Sequence, residues 1–476
     1  MELSVLPESN AIPKQVDIVI DGGWVVTVDG TRKIYRDGFV AVDDTKIVAV
    51  GRREDLASQY RGRKTIDGSN KVTIPGMSNG HRHLLCCAKG AMPEGGTTLE
   101  ALRRFIYPSF SRLTEEDMHT YALHATAEMV RFGTTSFEEP GCNHLEAVLE
   151  AVATSGMRCR IGPWTWDQAG SAGDTDLPDW LRFTAPEAAK RLERGVETVR
   201  RFKNPRIRDA VTIEGVGTCS DQLTVAAANL ALEAESLMVL HKSTSEREVA
   251  LELKAYGHRP IEHMHKIGAL NERVFMNHVT SVADWEVELI ADSGARISKN
   301  PSTALKLAKG TTHFGKWPEL LDAGVRVMLG TDAENCSNHQ DITRAIYLAA
   351  LLPRDARQDP NAVSAEQAVE MGTINGSRAL GWDDVVGGIE VGMEADITIF
   401  AAEDFDWRPL HNPIANLVYG ATGHSVHTVL IAGEVVLDNK QLTKVDELAL
   451  REDVEAIDRR VLKEIGIDPA PAWPVL

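Results

Sequence analysis

Val72-Thr-Ile-Pro-Gly-Met-Ser-Asn-Gly-His-Arg-His83 is the stretch on which the reading of the fold turns. It begins as an apolar, strand-like run and ends in two imidazoles one residue apart. Side chains two apart on a strand point the same way, so His81 and His83 aim into one space. Seven later stretches share the opening texture: 134–139, 157–163, 210–217, 237–243, 274–279, 295–301 and 325–332. Helical patterns separate several of them, such as 114–133, with Thr114 as N-cap and Gly133 just past the end. Strands alternating with helices over 77–384 predict an α/β fold, a (β/α)8 TIM barrel.

Both ends of the chain read differently. Residues 16–30 and 38–51 alternate apolar and polar with period two around turns, and so do 394–400 and 427–437. The expected layout is a small β-sandwich domain formed from 1–76 and 385–440, with the metal-binding barrel, 77–384, inserted between its halves. A polar helical extension, 441–476, ends in a Pro-rich stretch expected to lie on a neighbouring surface.

In such a barrel the C-terminal ends of all strands meet on one face, where activity resides. Four runs end at or beside a residue of metal-ligand type. The first ends His81-Arg-His83, the fifth carries His241, the sixth His278, and the eighth ends at Asp332. Any one of these alone reads as a hydrogen-bonded structural residue. Together, each at the matching end of a separate run, they predict a metal centre. Imidazole and carboxylate suit zinc, cobalt, iron or manganese and leave positions open for water.

Composition excludes other classes. Fifty-one Lys and Arg against 69 Asp and Glu give a formal charge of −18, so neither nucleic acid nor an anionic membrane is an expected partner. With 43% hydrophobic and 25% charged residues the chain is neither disordered nor a coiled coil. Six cysteines without a CxxC pair, no secretory signal and no spanning apolar run predict a cytoplasmic enzyme acting on a small molecule. A homo-oligomer is compatible with the acidic surface and the tail.

These motifs carry a resemblance. Ile74-Pro-Gly-Met-Ser-Asn-Gly-His-Arg-His83 resembles the Pro-Gly-x-x-(Asn/Asp)-x-His-x-His signature of the amidohydrolase superfamily. Leu329-Gly-Thr-Asp332 resembles its Gly-(Ser/Thr)-Asp motif. Arg259-Pro-Ile-Glu-His263 with Asn277-His278 resembles the sixth-strand region of its deaminase and chlorohydrolase branch. Thr373 to Gly381 and Gly387 to Ile397 resemble its exit from barrel to sandwich. Within the superfamily the chain looks most like the molinate hydrolase and phenylurea hydrolase group. The resemblance implies one divalent ion held by His81, His83, His241 and Asp332. It places His278 beside the water or the substrate carbonyl and makes Asp332 the proton acceptor. An ion in such a site lowers its water's pKa to about 7.

Two departures from that pattern shape the functional expectation. The branch's deaminases place Glu three residues after the fifth-strand His; here Thr244 stands there, and a hydroxyl cannot shuttle protons alone. Glu246 could substitute, though it reads as surface helix. Strand seven reads Lys299-Asn300-Pro301 in place of the usual His-Cys-Pro. Lys299 and Asn300 are therefore candidate substrate contacts, together with the aromatics Trp164, Trp166 and Phe137 near the same rim. Run four contains no Lys to bridge two ions, which favours a mononuclear site. Glu214, Glu138 and Glu139 remain alternatives for a second ion or strand-end hydrogen bonding. Cys86 and Cys87 read as small buried hydrophobes.

The leading expectation is hydrolysis of a carbonyl C–N or C–S bond in a small apolar urea, carbamate or thiocarbamate of herbicide type. The alternatives are an aminohydrolase or dechlorinase of a heteroaromatic ring (triazine, pterin or nucleobase type), and a metal-free scaffold descended from such enzymes.

Overall fold

Parallel strands buried on both faces need nearly continuous apolar sequence, and the eight runs supply it. The computed structural model describes residues 12–85, 88–95, 98–168, 183–215, 217–471 and 473–474, so Cys86 and Cys87 lie outside the described residues. The barrel strands are Met77–Asn79, Thr134–Cys142, Arg158–Pro163, Ile207–Asp209 continuing as Val211–Gly215, Met238–Lys242, Val274–His278, Arg296–Lys299 and Arg326–Leu329. Neighbouring strands pair in parallel from the first to the fourth and from the fourth to the eighth. Gly80 N donates to Leu329 O at 2.7 Å, tying the first strand's end to the eighth. The result is a TIM barrel with an additional β-domain.

One element departs from expectation. Residues 72–83 do not form one strand. Lys71–Pro75 belongs to the β-domain, Met77–Asn79 to the barrel, and His81 and His83 follow the strand's end. The break is at Gly76, where a Cβ would lie 2.3 Å from Thr135 Oγ1.

The β-domain joins the two ends of the chain. Lys71–Pro75 pairs antiparallel with Ile397–Ala401 in a seven-stranded sheet, and a second sheet of four strands uses residues 14–67. Their shared core combines Ile18, Ile20, Val40 and Ile66 with Ile397, Ile399 and Leu430. Arg158, at the start of the third barrel strand, clamps barrel to β-domain. Its guanidinium holds both oxygens of Asp396 at 2.9 Å and Glu394 at 2.7 Å.

The helix expected over 114–133 runs Glu115–Arg131, with Thr114 and Asp117 forming a capping box and Gly133 at φ +85° beyond its end. The C-terminal extension forms the helix Glu447–Glu464 and docks here. Tyr121 donates to Asp458 and Arg460 to Asp117, each at 2.5 Å. No helix among the described residues is long and apolar enough to cross a membrane.

Candidate active site

The side chains that meet at the barrel mouth arrive by two routes. Val239 and His241 share one face of the fifth strand by simple alternation. Val239 packs with Phe275, Met328, Leu380 and Trp382 in the barrel's lower core, so His241 lies above them on the inner face. Alternation on the sixth strand would place Asn277 inward and His278 outward. Asn277 does point in, with its amide 3.4 Å from Glu138. His278 reaches the mouth because the strand ends on it in the left-handed region, at φ +73°, followed by Val279 at +44°. Asp332 is likewise at φ +67°. Non-glycine residues held there are strained, and such strain gathers at functional sites. Gly330 makes the approach possible, since a Cβ would lie 2.8 Å from the His81 Cβ and 2.4 Å from Asn300 Oδ1.

Five side chains converge. The His81 ring lies 4.9 Å from those of His83 and His278 and 5.0 Å from that of His241. His81 Nε2 is 3.5 Å from Asp332 Oδ1, and His278 Nε2 is 3.8 Å from Asp332 Oδ2. The donor atoms of His81, His83 and His241 lie within 4.8 Å of one another, as do those of His81, His278 and Asp332.

This set fits a divalent cation. Both nitrogens of His81 and Nδ1 of His83 are buried without a hydrogen bond, a costly condition that a cation relieves at the lone pairs facing it. His83 Nε2 and His241 Nε2 face each other at 3.0 Å. His241 Nδ1 is taken by the Glu214 carbonyl at 2.8 Å, with the Glu214 carboxylate at 3.3 Å. Its proton is therefore on Nδ1, and its Nε2 lone pair faces the site. Burial holds His81 down at about 4, and holds His83 and His278 well below the ordinary imidazole range. Burial also depresses His241, but Glu214 outweighs it and leaves the ring raised. Burial works against the Asp332 anion, yet the surrounding imidazoles, His81 foremost, keep its pKa well below the carboxylate norm.

A second ring of residues fixes the first. Asn79 spans the first and eighth strand ends, donating to Thr331 Oγ1 at 2.7 Å and accepting from Thr331 N at 3.1 Å. Asp332 N donates to His81 O at 2.8 Å, and Ala333 N to Asp332 Oδ1 at 2.6 Å. Asn300 Oδ1 accepts from Ser298, which leaves its amide to donate to His278 Nδ1 at 3.1 Å. His278 therefore carries its proton on Nε2. Glu139 accepts from Leu84 N and Gly141 N and is pushed up by burial to about 8; Glu138 is held well above the usual carboxylate range by burial and by Glu139. Both lie within the strand Thr134–Cys142 and not at its end as expected, Glu139 as a backbone acceptor and Glu138 beside Asn277.

A narrow cavity opens above the cluster, bordered by His83, His241, His278 and Asp332. Its wall is largely apolar, with Leu85, Leu102, Ile106, Trp164 and Leu307. Trp164 is the one rim aromatic in place as expected; its indole N–H donates to Glu214 Oε2 at 2.5 Å.

The other expected contacts are elsewhere. Phe137 alternates with Glu138 and is fully buried in the main core. Trp166 packs behind Trp164, edge-on at 5.1 Å, against Tyr107 and Phe183. Lys299 points away from the mouth: its ammonium donates to Val279 O at 2.5 Å and Gly315 O at 2.6 Å, 5.6 Å from the Trp317 ring centroid. With no carboxylate among the described residues touching it, burial lowers this amine to about 7. Asn300 acts on His278 and does not line the cavity.

Thr244 does line the cavity. Its N–H and hydroxyl donate to Glu248 at 2.6 and 2.8 Å. Glu246 bonds Ser281 instead. Asn335 and Lys309 also line the cavity, and neither was expected from the sequence. Asn335 follows Asp332 by three residues. Lys309 reads as a surface lysine beside Lys306, yet is only 5% exposed. Burial lowers the Lys309 amine while Asp332 supports its charge.

The amidohydrolase family pattern matches residues 72–436. The 5-methylthioadenosine/S-adenosylhomocysteine deaminase of Nitratidesulfovibrio vulgaris is 31% identical over 450 residues, 94% of this chain and 99% of that one. The 5′-deoxyadenosine deaminase of Methanothermobacter thermautotrophicus is 32% identical over 439 residues, 92% and 97% of the two chains. Among solved structures, a zinc-bound adenosine deaminase from Xanthomonas campestris superposes with TM-score 0.87 at 26% identity, covering 95% of this chain and all of that one. A zinc-bound atrazine chlorohydrolase from Arthrobacter aurescens gives 0.83 at 23%, covering 93% and 100%, a likeness of fold. The likeness to molinate and phenylurea hydrolases expected from the sequence is not what these relatives bring out.

Proposed function

The chain belongs to the amidohydrolase family and is a metal-dependent hydrolase of carbon–nitrogen bonds; on that premise we propose that it removes an amino group from a heteroaromatic ring of adenine type. The observation that carries this is the convergence of His83, His241, His278 and Asp332, with His81 buried among them, at one largely apolar cavity. The deaminase names of its relatives support the ring.

His81, His83, His241 and Asp332 would hold the ion. Bound there, it supplies Lewis acidity and acidifies water at neutral pH. Asp332, an anion with one oxygen directed at His81 and the other toward His278, accepts a proton from the attacking water. His278 donates from Nε2 to negative charge that develops on the substrate. Trp164 and Leu102 provide apolar wall for a ring, and the narrow cavity limits competing water.

Thr244 favours a second reading. No carboxylate reaches the cavity from this position, and its hydroxyl is engaged by Glu248. A leaving group needing little protonation, as in a thiocarbamate or an aryl urea, suits such a wall. Metal-loaded enzyme offered 5′-deoxyadenosine, methylthioadenosine, an aminotriazine, a phenylurea and a thiocarbamate decides between them. Ammonia release from the adenine compounds is expected. Aniline or thiol release with no ammonia would replace this reading with the second.

A further inference from the structure

The barrel's buried lysines are satisfied, with one exception. Lys242 pairs with Glu252. Lys299 donates to two backbone carbonyls. Lys309 lines the cavity opposite no such partner: among the described residues its ammonium has no hydrogen bond and no carboxylate within ion-pair distance. It does not hang loose. Its backbone N–H is anchored to Ala304 O at 2.8 Å, in the turn that ends the helix Pro301–Lys306. Asp332 and His278 border the same cavity, and so do the apolar Leu307 and Ala333.

A buried cation without a counter-charge is costly, and proteins keep such groups where a ligand completes them. Asp332 borders the same cavity but lies beyond ion-pair distance, and Leu307 and Ala333 offer no acceptor, which leaves the cavity's occupant as the contacting partner. We propose that Lys309 is a specificity-determining residue that pairs with an anionic oxygen, of carboxylate type, carried by the substrate away from its reacting carbon. The apolar wall then takes the ring and Lys309 the charged end. The choice of nucleoside substrates below rests on the aminohydrolase reading; the pairing itself does not.

Two measurements on metal-loaded enzyme test it. The first compares S-adenosylhomocysteine, which ends in a carboxylate, with methylthioadenosine, which has the same ring and no carboxylate. The ratio of their kcat/KM values should fall at least about tenfold in Lys309→Met and recover in Lys309→Arg, as expected for a charge-assisted hydrogen bond. The second measures binding of benzoate against benzamide by calorimetry, and needs no turnover. Lys309→Met, or Lys309→Gln should the first variant not fold, should shift that ratio by the same order, with metal content equal to wild type. An unchanged benzoate-to-benzamide ratio overturns the pairing. If wild type turns over neither nucleoside but the binding ratio shifts, the substrate reading fails and the role of Lys309 stands.

Discussion

The hydrogen bond from Asn300 to His278 sets which nitrogen of that ring carries the proton, and Asn300→Asp should reverse it. Donor and acceptor are 3.1 Å apart and both residues are buried. An aspartate offers only acceptors, so it draws the proton to Nδ1 and leaves Nε2 a lone pair where a donor was. Burial keeps His278 well below its ordinary pKa, so the ring stays neutral and cannot protonate both nitrogens at alkaline pH. A hydrogen bond to a charged group contributes about 1.5–3 kcal/mol, which favours the wrong tautomer by roughly 10- to 150-fold. Losing one donor to developing negative charge costs about 10²–10³ in kcat. Steady-state kcat of metal-loaded Asn300→Asp at pH 8 should therefore fall by between roughly one and two orders of magnitude. KM should move less. Nitrogen NMR of the labelled histidines reads the tautomer directly. A reversed tautomer with wild-type kcat would refute a donor role for His278. A tautomer that never reversed would refute the structural assignment of Asn300.

Further outcomes follow from other sites. Chelation should abolish turnover and lower the melting temperature, with zinc, cobalt or manganese restoring both; saturation at a thousand times Kd is worth about 4 kcal/mol to the folded state. Lys299→Met should cost about 1–3 kcal/mol in urea unfolding by leaving two carbonyls unpaired, with KM close to wild type, because its ammonium never meets the cavity. Arg158→Ala should destabilise by about 3–5 kcal/mol, since it strands Asp396 between barrel and β-domain. Asp458 is raised by burial from 3.8 to about 6, so the folded state binds its proton more tightly than the unfolded chain does. That contribution is whole below about pH 4 and is lost as pH rises through 6. Asp458→Asn should gain on wild type across that window by at most about 3 kcal/mol in denaturant melts.

The barrel was legible because each strand is a short apolar run, and period and spacing survive in one dimension. The convergence of His81, His83, His241 and Asp332 was legible because they sit where those runs stop. What could not be read was direction. On strand seven, period two gives two faces but does not say which one looks inward, so Lys299 read as a substrate contact while its side chain runs outward to Gly315. Phe137 failed the same way, one residue out of phase with Glu138. His278 reaches the mouth for a reason invisible in the sequence, a left-handed turn that overrides strand alternation. Lys309 was missed because a lysine three residues after another on a polar helix end carries every mark of a solvated surface. Only the loop's path over the mouth reverses that reading. Thr244 was legible as a departure from the family pattern, but its engagement by Glu248, a turn further on, required the helix.

The antiparallel pairing of Lys71–Pro75 with Ile397–Ala401 gives translation a timetable. The first strand leaves the ribosome with one edge bare and waits for a partner roughly 300 residues downstream. At synthesis rates of about 5–20 residues per second, that edge stays unclaimed for roughly 15 to 60 s. Expression yield should therefore depend on elongation speed and on chaperones that shield nascent strands. A chain stopped short of residue 397 should precipitate even though its metal-binding half is nearly complete.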